Sequence, residues 1–322
     1  MTTYESVEGS APSVALDRSS PTTTRQRIWR GRIWYLLLAV PFALFLLFVI
    51  WPTINAFRLS LYRMDGPDEV FVGLDHYVTL LHDQVFIDAV INTVLLGVAF
   101  LAIVMPLSLV LASLMNGIRH FSTPLKVIYF LPQVTSAVAI ALIFNYVFQP
   151  DWGLLNGILH SLGVEDTPLW LAEPRLSLTG SRAAVTILAV WTGLGYFVII
   201  ILAGLQTVPR DLYDAAAVDG AGPVQSWRHI TLPGLRPILI FLVMTGIIDA
   251  MARFSDLWML GGPDGTPARS LQSIVMYMYR TAFESSNINL ASAVAVVFFL
   301  IVLVITAVNY GLFLRRDHTT VA

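Results

Sequence analysis

Long uncharged apolar runs separated by short polar stretches dominate the chain. Five of them, residues 33–57, 89–118, 127–150, 183–209 and 288–314, exceed the ~20 residues that carry a helix across bilayer hydrocarbon. A sixth, 237–262, is apolar in its first half and then carries Asp249, Arg253 and Asp256. Its length fits one tilted helix. The pattern predicts an all-α, polytopic membrane protein with six transmembrane helices. Between the fourth and fifth spans lies a polar island, residues 214–233, reading DAAAVDGAGPVQSWRHITLP. A soluble-looking segment held at a membrane surface is a contact element in waiting.

Composition strengthens this picture. At 56% hydrophobic and 12% charged residues, with mean hydropathy +0.72, the chain is too apolar for a soluble domain of its length. Charge supplies the orientation. With six spans, both termini share one side with the loops after spans two and four. Those segments hold Arg18, Arg25, Arg27, Arg30, Arg32, Arg119, Lys126, Arg210, Arg228, Arg236, Arg315 and Arg316, which is 12 of the 19 basic residues. The positive-inside rule therefore puts both termini and the polar island in the cytoplasm. The first 24 residues, rich in Ser, Thr and Pro, read as a mobile tail. The apolar run after Arg32 is too long for a signal-peptide core, so it reads as an uncleaved first helix.

Absences narrow the function. The single lysine, Lys126, sits in STPLKVIY, whereas a P-loop needs lysine beside Ser or Thr at the end of a Gly-rich turn. The chain is not its own ATPase. There is no cysteine, and no hydrolase motif or cluster of ligating side chains lies in or near the spans, so no catalytic or metal residue is expected. The scattered histidines, His76 among them, fall in loops or at span edges and read as solvated.

The polar island has fixed spacing: Asp214-Ala215-Ala216, three residues, Gly220, nine residues, Ile230, one residue, Leu232-Pro233. That pattern resembles the "EAA" loop of permease subunits in binding-protein-dependent ABC importers. Other stretches resemble the carbohydrate branch of the same family, which takes up maltose, trehalose and glycerol phosphate. They are FVGLDHYVTLLHDQVFIDAVINT from Phe71, LPQVTSAVAIALIFNYVFQPDWGLLN from Leu131, MLGGPDGTPARSL from Met259, and YMYRTAF ending at Phe283. The loop begins with Asp214 where the family usually has glutamate, and Asn289 stands where glycine is common; neither alters the spacing.

The resemblance implies the type I ABC importer permease fold: a flexible tail (1–32), a peripheral transmembrane helix (33–57), a core (85–315) containing the ATPase-docking loop 210–237, and a second tail (316–322). It implies a non-catalytic subunit in the inner membrane that forms half of a path for a sugar-like solute. The partners would be a second homologous permease, two copies of a cytoplasmic ATPase carrying ATP and Mg, an extracytoplasmic solute-binding protein and the bilayer, with no nucleic acid and no cofactor on this chain. Asp214, Ala215, Ala216, Asp219, Gly220, Ile230, Leu232 and Pro233 would form the docking site.

Local chemistry agrees with docking. Asp211 is a plausible N-cap for a short helix ended by Gly220; the alanines allow close approach, and Asp214 offers a carboxylate to a partner. Solute contacts are expected where spans are broken or polar-lined. Span four offers Trp191, Gly193 and Tyr196, although aromatics in a span commonly serve packing alone. Span five offers Asp249 near mid-membrane with Arg253 at i+4 and Asp256 beyond. By similarity to the maltose-type permease, Gly193, Tyr196 and Arg253 fall at sugar-contact positions. The charged trio either lines the path or forms a structural network. The solute is neutral if Arg253 stays paired and anionic, of the glycerol-phosphate type, if its guanidinium is free. A gradient-driven carrier or channel is the competing class.

Overall fold

The structure, a computed structural model, describes residues 37–66, 68–117, 122–171 and 180–314. The two expected tails and residues 33–36 lie outside the described residues. Contacts divide the chain into Met1–Ile54 and Asn55–Ala322. Helix α1 (Leu37–Leu59) is long and apolar enough to cross a membrane and contains a π-helical turn at Leu46–Ile50. Every described side chain up to Ile54 is exposed. Apolar side chains displayed in this way are suited to lipid.

Two elements absent from the run pattern follow. An antiparallel hairpin, β1 (Tyr62–Asp65) and β2 (Asp68–Phe71), pairs Tyr62 with Phe71. Helix α2 (Asp75–His82) then brings His76 under it, where the ring is buried and Nε2 donates to the Tyr62 carbonyl at 2.9 Å. His76 is therefore a structural pin rather than the solvated side chain expected.

The centre of the second unit is the pairing of α3 (Gln84–Asn116) with α7 (Ser181–Leu205). Asp83 caps α3 by accepting from the Val85 and Phe86 amides at 2.8 and 3.4 Å, supplying two of the helix's unpaired donors. From there α3 runs for 33 residues with Pro106 inside it, and after Asp88 it carries no charge that must stay near water. One apolar cluster joins Phe100, Val104 and Met115 of α3 to Phe197, Val198 and Ile201 of α7 and to Leu242. A second joins Leu96, Ile140, Leu188 and Leu257. Glycine sets one contact: a Cβ at Gly195 would collide with the Tyr129 carbonyl, so α7 can lie backbone to backbone against its neighbour only with glycine there.

Two of the six expected spans are not single helices. The third run divides into α4 (Ser122–Val134) and α5 (Ala137–Val147), whose axes differ by 104°. Pro132 lacks the N–H that a continuing helix needs, and Ser136 adopts ψ 125°. A short helix, α6 (Leu154–Ser161), follows. After α7 come α8 (Arg210–Val218) and α9 (Pro223–Gly234).

The fifth span is α10 (Arg236–Met251), a break at residues 252–254, and α11 (Ser255–Gly261). This corrects the expectation of one tilted helix. Sixteen residues rise only about 24 Å, short of the ~30 Å of hydrocarbon, and α11 continues beyond the break. Helix α12 (Ile274–Tyr279) and α13 (Ile288–Leu314) complete the order. Among the described residues four helices are long and apolar enough to cross a membrane, or six when each of two bent pairs, α4 with α5 (104°) and α9 with α10 (63°), counts as one span.

Buried polar side chains tie the segment before α12 to α3 and α7. Asn92 Nδ2 donates to the Arg269 and Gln272 carbonyls at 2.7 and 3.2 Å, and Arg182 Nη2 donates to Asn92 Oδ1 at 2.7 Å. Ser273 Oγ donates to the Arg253 carbonyl at 3.2 Å. That last bond satisfies one of the backbone groups that the α10–α11 break leaves without a helical partner.

Candidate functional site

Two regions carry functional geometry. The first is the polar island. Helix α8 ends at Asp219, with Gly220 at φ +78°. The Ala221 amide donates back to Ala216 O at 2.8 Å and the Gly220 amide to Ala217 O at 3.1 Å, the paired closure that a left-handed residue after a helix permits. Asp211 is not the N-cap: Pro209 takes that place and Asp211 lies in the first turn, where its carboxylate complements the helix N-terminus.

Helix α9 returns toward the bundle from Pro223 at its first position and loosens to a π turn at Trp227–Thr231. Tyr213 and Thr231 hydroxyls meet at 2.8 Å, joining α8 to α9. Trp227 Nε1 donates to Ser113 Oγ at 3.1 Å, joining α9 to α3, while Trp227 and Leu232 pack on the α3–α7 cluster. Of the docking candidates, Asp214, Ala215, Asp219, Gly220 and Pro233 are exposed, and Ala216, Ile230 and Leu232 are half-buried. The exposed face also presents Val218 and Val224, which are 88% and 79% accessible. Apolar side chains displayed on a polar segment beyond the spans form a surface suited to a protein partner.

The second region is a cavity of about 200 Å³ bordered by both helix breaks. Phe100, Thr192 and Gly193 line it from α3 and α7, Gln133 and Thr135 from the α4–α5 break, and Asp249, Arg253 and Asp256 from the α10–α11 break. Gly193 is the thirteenth of the 25 residues of α7, so the cavity lies at half the height of that helix. A Cβ at Gly193 would stand 2.9 Å from Phe100 Cζ, so glycine keeps the ring in place beneath the opening. Broken helices expose backbone amides and carbonyls without intrahelical partners, an arrangement tolerated at membrane depth where it faces protein or a polar cavity.

Within the cavity Arg253 pairs with Asp256, and both side chains are largely buried, at 16% and 10% exposure. Asp249 is exposed and makes no side-chain hydrogen bond or ion pair among the described residues. The sequence candidates separate here. Gly193, Asp249 and Arg253 border the cavity. Trp191 is turned outward against Phe144, with ring centroids at 5.3 Å, and Tyr196 packs on the α3–α7 cluster, edge-on to Phe197 at 5.8 Å. Sequence reasoning missed Gln133 and Thr135. The signal was there: a proline followed by Gln, Thr and Ser in an otherwise apolar run marks a helix break. Among the described residues no group of His, Asp and Glu side chains converges to hold a metal.

Residues 105–316 match the family described as "Binding-protein-dependent transport system inner membrane component". The chain is 32% identical to the probable ABC transporter permease protein YurN of Bacillus subtilis, over 86% of this chain and 94% of that protein. It is 31% identical to the arabinooligosaccharides transport system permease protein AraP of the same species, over 91% of this chain and 94% of that one. A crystal structure of a bacterial ABC transporter involved in the import of the acidic polysaccharide alginate matches with a TM-score of 0.77 at 25% identity, covering 90% of this chain and 98% of that one. The chain belongs to the inner membrane components of binding-protein-dependent transport systems. Its fold is the type I permease fold of ABC importers.

Proposed function

We propose that this chain forms half of the translocation path of an ATP-driven importer for a saccharide or saccharide-like solute, with the solute passing through the cavity at the two helix breaks. The convergence of the α4–α5 and α10–α11 breaks on one polar cavity carries this reading, and the carbohydrate named for AraP supports the solute class. A second, homologous permease would supply the other half. Two cytoplasmic ATPase subunits, holding ATP and Mg, would dock beneath, one of them on the α8–α9 segment of this chain. A solute-binding protein would deliver cargo on the outer side, and both termini would lie in the cytoplasm.

Closure of the ATPases would push α8 and α9, and the Tyr213–Thr231 and Trp227–Ser113 contacts would carry that displacement to α3, which reaches the cavity at Phe100. Access would then alternate between the two sides. Bond chemistry stays on the ATPase.

The test is uptake and ATPase co-purification in the assembled complex. Gly220→Pro removes an amide that closes α8 and imposes a negative φ where +78° is needed; Asp214→Arg inverts an exposed charge. Each is expected to abolish uptake and release the ATPase while the permease stays in the membrane. Normal uptake in both variants would refute the docking assignment. Uptake that persists in cells lacking the ATPase would favour a gradient-driven carrier instead.

A further inference from the structure

The cavity holds an uneven set of charges. Its only cation among the described residues, Arg253, already bonds Asp256; the second carboxylate, Asp249, attracts Arg253 through space but lies beyond ion-pair distance and borders the opening. Gln133, Thr135 and Thr192, which also line it, are uncharged hydrogen-bonding groups. The formal balance of the lining is therefore one negative charge, in a setting where low dielectric makes any imbalance count more than it would in water.

From this arrangement we infer that the cavity selects uncharged saccharides, and accepts cationic amino saccharides, against acidic or phosphorylated ones, with Asp249 setting the preference. The inference rests on the reading of the cavity as the solute path. An anionic solute has two ways to bind, and both are unfavourable. It can approach Asp249, where like charges repel. Or it can take Arg253 from Asp256, which strands a carboxylate that is only 10% exposed and so is poorly solvated without its partner. An uncharged saccharide meets neither obstacle: a hydroxyl donates to Asp249, Gln133 can donate to or accept from others, and Thr135, whose own proton goes to the Leu131 carbonyl at 2.8 Å, can accept. An ammonium group on the sugar would pair with Asp249 directly.

Asp249 is exposed at the cavity rather than packed, so its replacement tests charge rather than folding. The experiment uses the purified permease–ATPase complex in detergent without the solute-binding protein, whose own selectivity would mask that of the membrane path. Thermal midpoints are titrated with matched neutral, free-amine and carboxylate forms of a panel of di- to pentasaccharides. The neutral and amine forms should raise the midpoint at concentrations at least about tenfold below those needed by the carboxylate forms. Asp249→Asn should shrink that gap about tenfold. Asp166→Asn, the same charge change in an exposed loop outside the cavity, should leave it unaltered. Equal or tighter binding of the carboxylate forms, or a gap that Asp249→Asn does not alter, overturns the charge preference while leaving the solute path in place. If no member of the panel shifts the midpoint, the saccharide reading itself fails.

Discussion

The docking segment and the cavity solve opposite problems. Segment α8–α9, the proposed docking element, is continuous in sequence, stands outside the apolar runs and displays apolar side chains, including Val218 and Val224. The cavity is assembled from residues as far apart as Phe100 and Asp256, at half the height of a central helix, and depends on breaks that expose backbone groups. Surface recognition needs a rigid short element with its face outward. A polar site at membrane depth needs interrupted helices and buried charge compensation. Residues that matter for the first should therefore be cheap to replace for folding, and the buried charges and close contacts around the second expensive.

The largest expected effect is at the contact that holds the cavity's wall. Gly195→Val sets a side chain against the Tyr129 backbone and should destabilise the permease by about 3 kcal/mol or more, read as a fall in thermal midpoint in detergent; an unchanged midpoint would break the picture of backbone-to-backbone packing. Next is the charge pair. Arg253→Ala strands buried Asp256 and should cost ~3–5 kcal/mol, whereas Asp249→Ala, at an exposed position, should stay within ~0.5 kcal/mol. Equal losses in denaturant unfolding would mean that the two carboxylates are not distinguished as described.

Between the two regions lies Trp227→Phe, which keeps the ring packing but removes the donor to Ser113. About 1 kcal/mol is expected, with less solute moved per ATP hydrolysed in proteoliposomes. A double-mutant cycle with Ser113→Ala that shows simple additivity would argue against a working contact. The smallest effect on folding belongs to Val218→Ser. Stability should stay within ~0.5 kcal/mol while ATPase association weakens about tenfold, measured by titrating the ATPase onto nanodisc-embedded permease. Lost stability with intact association would reverse the contrast.

Much of the geometry of α8–α9 was legible in the chain because its signals are local. Gly220 stops α8 through a positive φ that glycine adopts freely, and the spacing from Asp214 to Pro233 lies within one contiguous stretch. The error there, Asp211 read as N-cap, was one of boundary: Pro209 already ends the preceding segment. The cavity was only half legible. Asp249 and Arg253 stood out because charge in an apolar run demands an explanation, and Gly193 by family likeness. Tyr196 was placed by the same likeness and Trp191 as an aromatic face for a sugar, yet along a helix neighbouring residues point in different directions, and neither aromatic lines the cavity.

The amino-acid sequence by itself determined that the chain lives in a bilayer, how many apolar runs it has, where its polar contact element falls and that it carries no P-loop. These follow from transfer free energies and short-range spacing, which act residue by residue. Tertiary structure alone decided that two runs would break, that the breaks would meet, and that Arg253 would contact Asp256 directly while Asp249 acts on it only through space. Hydropathy sums are blind to such choices, because the partners that settle them come from helices far apart in the chain, and a buried charge takes the carboxylate that packing brings within reach.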